Sequence, residues 1–383
     1  MGFLSGNMNF LNIYMFMAAA ILLLAVCMKG NVPQNKQYII WSCLIMFVVY
    51  GLRDTYSLGG DACSSYLHHF QQLENTSWSA IWQNKSLFKN FLWILSGKVS
   101  YVLFDGDYQL FVSLISAFVM LVFGWFIYRY SVNPVQSFIF YWGLWFFTFN
   151  FSALKQSVAM SFILLAFDAL MNRKLIRYLL AVVVAALFHF PAFVFLPAYW
   201  LVKLNPRVYL LFLVAGFAAV YLWRDQIVRF IAQFYYEDRV FEGEERFLTG
   251  KVIVMLALVL ISYIRRPPSK EEPLYSASLQ FVAIATVIQL FSVYNNVFER
   301  LADYYFQFSV IFVPFFFKAR NEERLELIKT DLLKIGGLAL DFFCMLRFND
   351  AVTRTTSMLL PYQFFFQSNR GEALKALVSK LFM

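Results

Sequence analysis

Charge is scarce in this chain: 14% of its 383 residues are Asp, Glu, Lys or Arg, where a soluble domain carries about a quarter. With 61% hydrophobic residues and a mean hydropathy of +0.61, that shortage excludes a soluble enzyme, a soluble nucleic-acid binder and a disordered scaffold. Cysteine is scarce too. Cys27, Cys43, Cys63 and Cys344 show no CxxC spacing, so neither a disulfide framework nor a zinc site follows. The sequence has no Gly-rich phosphate loop, nucleotide fingerprint or kinase-like motif. It also lacks an internal repeat, a low-complexity linker and the period-two segments of a membrane β-barrel. Phe10 to Met28 has no Lys or Arg before it and no small-residue cleavage site after it, so a retained span is expected.

What is present is a succession of apolar runs near 9–29, 37–52, 109–127, 135–150, 153–171, 208–223, 251–264, 274–293, 302–317 and 332–347. A spanning helix needs roughly 20 apolar residues, so the expected fold is all-α, a polytopic integral membrane protein with about 10–12 transmembrane helices. One integral membrane domain over 1–383 is the simplest organisation.

The formal charge of +9 reads first as topology. Short basic connections lie at Lys29 to Lys36, Arg129, Arg173-Lys174 with Arg177, Lys203 with Arg207, Arg265-Arg266 with Lys270, and Lys318 with Arg320 and Arg324. Placing all of them in the cytoplasm satisfies the positive-inside rule at every second connection, with the N-terminus outside. Arg177 and Lys203 then share a side, yet only about 25 residues separate them, and two full spans need about 40. The stretch 177–202 is therefore expected to be two short helices meeting at 189–191, where Pro191 removes a backbone donor. Non-helical backbone at that depth survives only against protein or a wet cavity, which His189 should face.

This topology puts a loop at 53–108 outside, with interfacial helices carrying Tyr66, Phe70, Trp78 and Trp82. A second, charged outward loop covers 224–250, and a short one runs through Glu299-Arg300 into the span with Asp303. The tail at 370–383 is amphipathic at helical period. About half of the basic side chains fall outside in this reading, more than topology alone explains. Arg53, Lys155 and Arg300 each stand where a span meets the outer surface. Any one alone could snorkel or pair with Asp54, Glu299 or Asp303. Three together favour an anion site, since cations at membrane depth are costly and guanidinium suits phosphate oxygens.

Asp61 follows Gly59-Gly60 and has two readings: a general base for a sugar hydroxyl, or a turn aspartate bonding its own backbone. Composition favours the turn. His68 and His69 are adjacent and have no acidic or Cys partner at metal spacing, so they read as interfacial. His189, one of three histidines and placed at a helix break, has the strongest case among the acid–base candidates. A lone membrane histidine also serves as an interhelical hydrogen-bond donor.

Four places in this pattern resemble the EpsG-type family of bacterial polysaccharide polymerases, the Wzy-like enzymes of exopolysaccharide, capsule and O-antigen assembly. They are Gly51-Leu52-Arg53 with Gly60-Asp61 and Tyr66; Phe149-Asn150 through Lys155-Gln156 to Ala159, then Arg173-Lys174; Leu187-Phe188-His189 with Phe195-Leu196-Pro197; and Glu299-Arg300-Leu301 with Tyr304-Tyr305, Pro314 and Pro361-Tyr362. Two departures stand out. The family's Arg-Gln is Lys155-Gln156 here, which keeps the charge and loses the bidentate fork. Ala62-Cys63 follows Gly60-Asp61, where a Tyr nearer the Asp is usual.

The resemblance implies a GT-C-like glycosyltransferase in the bacterial inner membrane, with its active site facing the periplasm or cell exterior. It would move a growing glycan from undecaprenyl diphosphate to the terminal sugar of another lipid-linked repeat unit. Arg53, Lys155 and Arg300 would hold the diphosphate, Asp61 or His189 would take the acceptor's proton, and Gln156, Glu299, Asp303 and Tyr304 would support them. No cofactor and no metal is implied. A flippase and a chain-length regulator are implied partners besides membrane lipids; nucleic acid is not one. Competing readings are an O-antigen ligase-type enzyme, which usually has a larger late outward loop, and a lipid-linked oligosaccharide flippase or transporter, which should show two related halves.

The topology is checked by labelling in a cysteine-free background. A cysteine introduced by Ser64→Cys should react with an impermeant reagent in intact cells, and one introduced by Lys174→Cys only after permeabilisation. Labelling of the latter in intact cells overturns the orientation.

Overall fold

A computed structural model describes residues 11–28, 36–83, 90–203, parts of 214–229, 250–264, 272–293, 297–317, 327–354 and 358–367. The tail expected at 370–383 lies outside these residues, and so does nearly all of the loop expected at 224–250. In chain order the helices are α1 (Ile13–Cys27), α2 (Lys36–Gly51), α3 (Ser65–Gln72), α4 (Trp78–Gln83), α5 (Phe91–Leu103), α6 (Tyr108–Tyr130), α7 (Pro134–Gly143) and α8 (Phe146–Ser152). There follow α9 (Leu154–Met171), α10 (Leu175–Phe188), α11 (Ala198–Leu201), α12 (Gly250–Ile264), α13 (Glu272–Leu290), α14 (Val297–Phe306), α15 (Ser309–Phe317) and α16 (Leu327–Thr353). Among the described residues there is no strand, only an isolated bridge between Arg53 and Phe364. The protein is an all-α polytopic membrane protein.

Among the described residues, three helices are long and apolar enough to cross a membrane unaided: α6, α9 and Pro273–Leu290 of α13. With 23 residues α6 is about 34 Å long, slightly more than the hydrocarbon core. Its start is set by Asp107, whose carboxylate accepts the Leu110 N–H at 3.0 Å. Asn12 does the same for α1, accepting from Tyr14 and Met15, and Asn133 with Pro134 opens α7.

Several apolar runs that read as single spans are broken. The run near 135–150 is α7 and α8, divided at Leu144 and Trp145, with Trp145 in the left-handed region at φ 67. The run near 302–317 is the end of α14 and all of α15, divided at Gln307 and Phe308. After α10 the chain turns at His189 into a 3-10 segment, Phe190–Phe195, that folds back along α10. Tyr178 bonds the carbonyl of Phe195, which ties the two arms together. These breaks persist because protein covers them: Phe146, Phe195, Phe308 and Tyr305 are all buried. Within the 53–108 stretch the apolar α5 packs on α6 and α10.

The centre of the bundle is α9, flanked by α6, α10 and α8, while α2 lies on α6 and α16 on α7. Helices α6 and α9 run parallel. At one end Asp168 accepts from Arg129 Nε and Tyr130 Oη, both at 2.6 Å. At the other end, Tyr108 at the start of α6 bonds the Ala62 carbonyl, and Ser152, two residues before α9 begins, bonds the Asp61 N–H. Close helix approach relies on glycine at two crossings. A Cβ at Gly124 would stand 2.6 Å from Cys43 Sγ, and one at Gly143 would stand 2.3 Å from Cys344 Cβ and 2.7 Å from its Cα.

Gly143→Ala must therefore push α16 away from α7, an overpacking cost of about 1–3 kcal/mol. It should lower the thermal midpoint of the purified protein by several degrees. Gly216→Ala, where a Cβ meets none of the described residues within 4 Å, should leave the midpoint unchanged.

Candidate functional site

The α8–α9 joint organises one end of the bundle. Helix α8 ends at Ser152, Ala153 alone intervenes, and α9 begins at Leu154 with no side chain capping it. Lys155 stands in this uncapped first turn, where the helix leaves backbone N–H groups unpaired. Its ammonium lies 5.2 Å from the centre of the Tyr66 ring on α3. Gln156, buried behind it, donates from Nε2 to the Arg300 carbonyl at 2.9 Å, which fastens the start of α14 to the start of α9. The Gln156 Oε1 is buried and has no hydrogen-bond partner among the described residues.

The second component is the turn at Gly59, Gly60 and Asp61. Both glycines have positive φ, 111° and 53°, where a Cβ is strained. Space excludes it as well, because a Cβ at Gly59 would meet the Phe151 carbonyl oxygen at 2.4 Å. The Asp61 N–H donates to Ser152 Oγ at 3.2 Å, and Tyr108 Oη donates to the Ala62 carbonyl at 2.5 Å. The Asp61 side chain is exposed and within electrostatic reach of Lys155.

The third component is the tip of the α10 hairpin. His189 Nδ1 and Tyr304 Oη are 2.6 Å apart, and their rings lie 27° from parallel. Tyr305 donates to the Val194 carbonyl at 2.7 Å, so neighbouring tyrosines of α14 hold both sides of the tip. His189 is within electrostatic reach of Lys155 and Arg300, and Lys155 of Arg300. Arg300 is exposed, Glu299 is half-buried beside it, and Asp303 is buried one turn on. The structure thus gathers Asp61, Lys155, Gln156, His189, Arg300 and Tyr304 at one end of the molecule. His69, read as merely interfacial, lies near enough to Lys155 to feel its charge. Desolvation first, then Lys155 and His68, depress its pKa below the ordinary histidine value.

Arg53 occupies a different place from the one expected of it. It is completely buried and its guanidinium is spent on backbone: Nη1 donates to the Tyr50 carbonyl at 2.5 Å, Nη2 to Phe151 at 3.0 Å and Nε to Leu58 at 3.5 Å. The rings of Tyr50 and Phe151 lie 5.0 and 4.6 Å from its central carbon. A strap at 358–367 covers the same turn, with the Asp54 N–H bonding Gln363, Phe365 bonding Leu52 and Gly59 bonding Met358. Position in a hydropathy profile shows a cation at the end of a span; it does not show that three carbonyls converge on it. Arg53 holds the floor of the site together and has no exposed surface with which to meet an anion.

The arrangement can therefore attract an anion to Lys155 and Arg300 and offer a hydroxyl bound next to it a carboxylate and an imidazole as proton acceptors. Among the described residues no group of three or more His, Cys, Asp or Glu side chains could hold a metal ion. Ser152 escaped sequence reasoning because nothing in its local pattern shows that a loop 91 residues earlier bonds to it. A family model described as the EpsG family matches residues 38–364, a range that includes every residue of this site and most of the strap. Comparison with curated proteins and with solved structures gives no match.

Arg53→Ala should reduce the yield of folded, detergent-stable protein, since each buried carbonyl it abandons costs about 1–3 kcal/mol. Lys155→Ala and Arg300→Ala should leave that yield near wild type. Fluorescence-detected size exclusion compares the three, and a normal Arg53→Ala profile removes the structural role.

Proposed function

The chain belongs to the EpsG family, and we propose that it is a polysaccharide polymerase acting on lipid-linked repeat units. Membership in the family points to polysaccharide polymerisation; the donor and the chemistry below are our reading. One observation carries it. Lys155 and Arg300, from segments 145 positions apart in sequence, come within electrostatic reach of each other and of His189 at one end of the bundle, and Lys155 also within reach of Asp61. Like charges held together in a weakly polar setting are stabilised by an anion between them.

The anion is the diphosphate of an undecaprenyl-linked glycan. The acceptor is the terminal sugar of a second lipid-linked unit, whose hydroxyl oxygen attacks the anomeric carbon. A new glycosidic C–O bond forms and the bond from that carbon to the diphosphate oxygen breaks. The acceptor's proton passes to Asp61, and the leaving lipid diphosphate takes the electron pair. Lys155 and Arg300 balance the charge that develops on it, a contribution of order 10²–10³ in rate for a well-placed donor. Asp61 takes the role of base in this reading because its carboxylate is open to an incoming hydroxyl and lies within electrostatic reach of Lys155. His189 and Tyr304, bonded to one another, form a wall for the donor sugar.

In this reading no cofactor is needed and the two cations replace a divalent ion. The protein sits in the bacterial cytoplasmic membrane with the Lys155 end facing outward, supplied by a flippase and limited by a chain-length regulator. The test incubates purified protein with lipid diphosphate-linked repeat units, without nucleotide and with EDTA. A ladder of products is expected, with Lys155→Ala and Arg300→Ala each about 10²-fold slower. Dependence on a nucleotide sugar, or full activity in both variants, overturns the reading.

A further inference from the structure

The Gly59–Asp61 turn is held from three sides, and only one of them leads to the catalytic cations. Gly59 is fixed by the Met358 carbonyl, which accepts its N–H at 3.1 Å, and by the close approach of the Phe151 carbonyl. The Gly60 carbonyl is turned inward on the loop itself, accepting from Ser64 Oγ at 3.0 Å and from Cys63 Sγ at 3.2 Å. Asp61 is fixed by Ser152, whose Oγ accepts its N–H at 3.2 Å. Ser152 is the last residue of α8, and Lys155 follows three positions later in the first turn of α9. A single hydroxyl therefore joins the backbone of the carboxylate to the joint that aims the ammonium.

The fit around this hydroxyl is close. A Cβ at Gly60 would stand 3.0 Å from Ser152 Oγ, so a side chain there would push the hydroxyl aside by a few tenths of an ångström. The other supports of the loop do not substitute for it. Ser64 and Cys63 hold the carbonyl of the Gly60–Asp61 peptide from within the loop, and Tyr108 of α6 holds the next carbonyl, at Ala62; the bond to Ser152 is the one of these that ties this peptide to the α8–α9 joint. We propose that Ser152 is a positioning residue of the site, which fastens Asp61 to the α8–α9 joint that carries Lys155 by accepting the Asp61 backbone N–H. The proposal rests on the reading of Asp61 as the proton acceptor of the polymerase. Displacement of a reacting group by about 1 Å can cost 10²-fold in rate.

The experiment is a double-mutant cycle on the purified full chain with lipid diphosphate-linked repeat units. Ser152→Ala should lower kcat by about 10–100-fold with KM for the donor and thermal midpoint unchanged. Ser152→Thr, which keeps the hydroxyl, should restore kcat to within a few-fold of wild type. In an Asp61→Asn background Ser152→Ala should cause no further loss, because the serine acts through the aspartate. Unchanged kcat in Ser152→Ala, losses that multiply in the double variant, or a Ser152→Ala protein that no longer folds would each overturn the proposal. Failure of the polymerase reading is visible separately, as no ladder from the wild type. The bond is then read by amide hydrogen exchange at Asp61, expected to accelerate in Ser152→Ala and not in Ser152→Thr; equal exchange in all three overturns it.

Discussion

A chain that leaves a helix at membrane depth exposes carbonyl groups with no water to receive them, and here Arg53 answers that demand. Its guanidinium receives the carbonyls of Tyr50 at the end of α2, Leu58 in the following turn and Phe151 near the end of α8. Gln109 and Ser113 of α6 complete the task by donating to the Gly51 carbonyl at 3.3 and 2.7 Å. Hydrogen bonds from a charged donor are worth about 1.5–3 kcal/mol each, and leaving their acceptors unpaired costs a comparable amount. Everything at this end of the molecule is referred to that point: α2, α6, α8, the glycine turn and the strap at 358–367 all meet around it.

Because this floor is rigid, the surface above it can hold groups that would otherwise repel. Lys155 and Arg300 lie within reach of one another, and Gln156 prevents them from separating by bonding the Arg300 backbone rather than its side chain. The guanidinium of Arg300 is left exposed while its helix start is fixed. Tyr304 and Tyr305 extend the same logic to the hairpin tip, one bonding the His189 ring and the other the backbone at Val194. Gln156 and Tyr305 bond backbone and Tyr304 bonds the His189 ring, while Asp61 and Arg300 are left exposed.

The broken helices belong to this design. Continuous spans would carry His189, Trp145 and Gln307 past the site inside regular helix. Breaks at those positions bring Phe146 at the start of α8 against Phe306 at the end of α14, 5.9 Å between ring centres, and let the 3-10 segment pack on α14. The breaks are concealed from hydropathy because Phe146, Phe149 and Phe308 are as apolar as any spanning residue. Pro191 is the exception, a break that a reader of residues can see, since proline has no N–H to continue the ladder. Trp145 gives no such signal. Its left-handed backbone is imposed by packing, with Arg347 of α16 4.3 Å above its ring and Gly143 pressed against Cys344.

Composition, apolar runs and the positions of basic residues were enough to determine an all-α membrane protein, and the motifs that carry the family lie in the chain order read from them. Those properties are sums over local residues, so local residues suffice to state them. The tertiary structure alone decided that Arg53 and Lys155, similar in charge and in hydropathic setting, do different work: one is sealed under carbonyls, the other stands in an uncapped helix turn. It alone decided that Ser152 meets Asp61 and that Tyr304 meets His189. Contacts between segments 91 and 115 residues apart leave no trace in either segment's own pattern; they arise when helices with interchangeable apolar faces settle on the packing in which buried polar groups find partners.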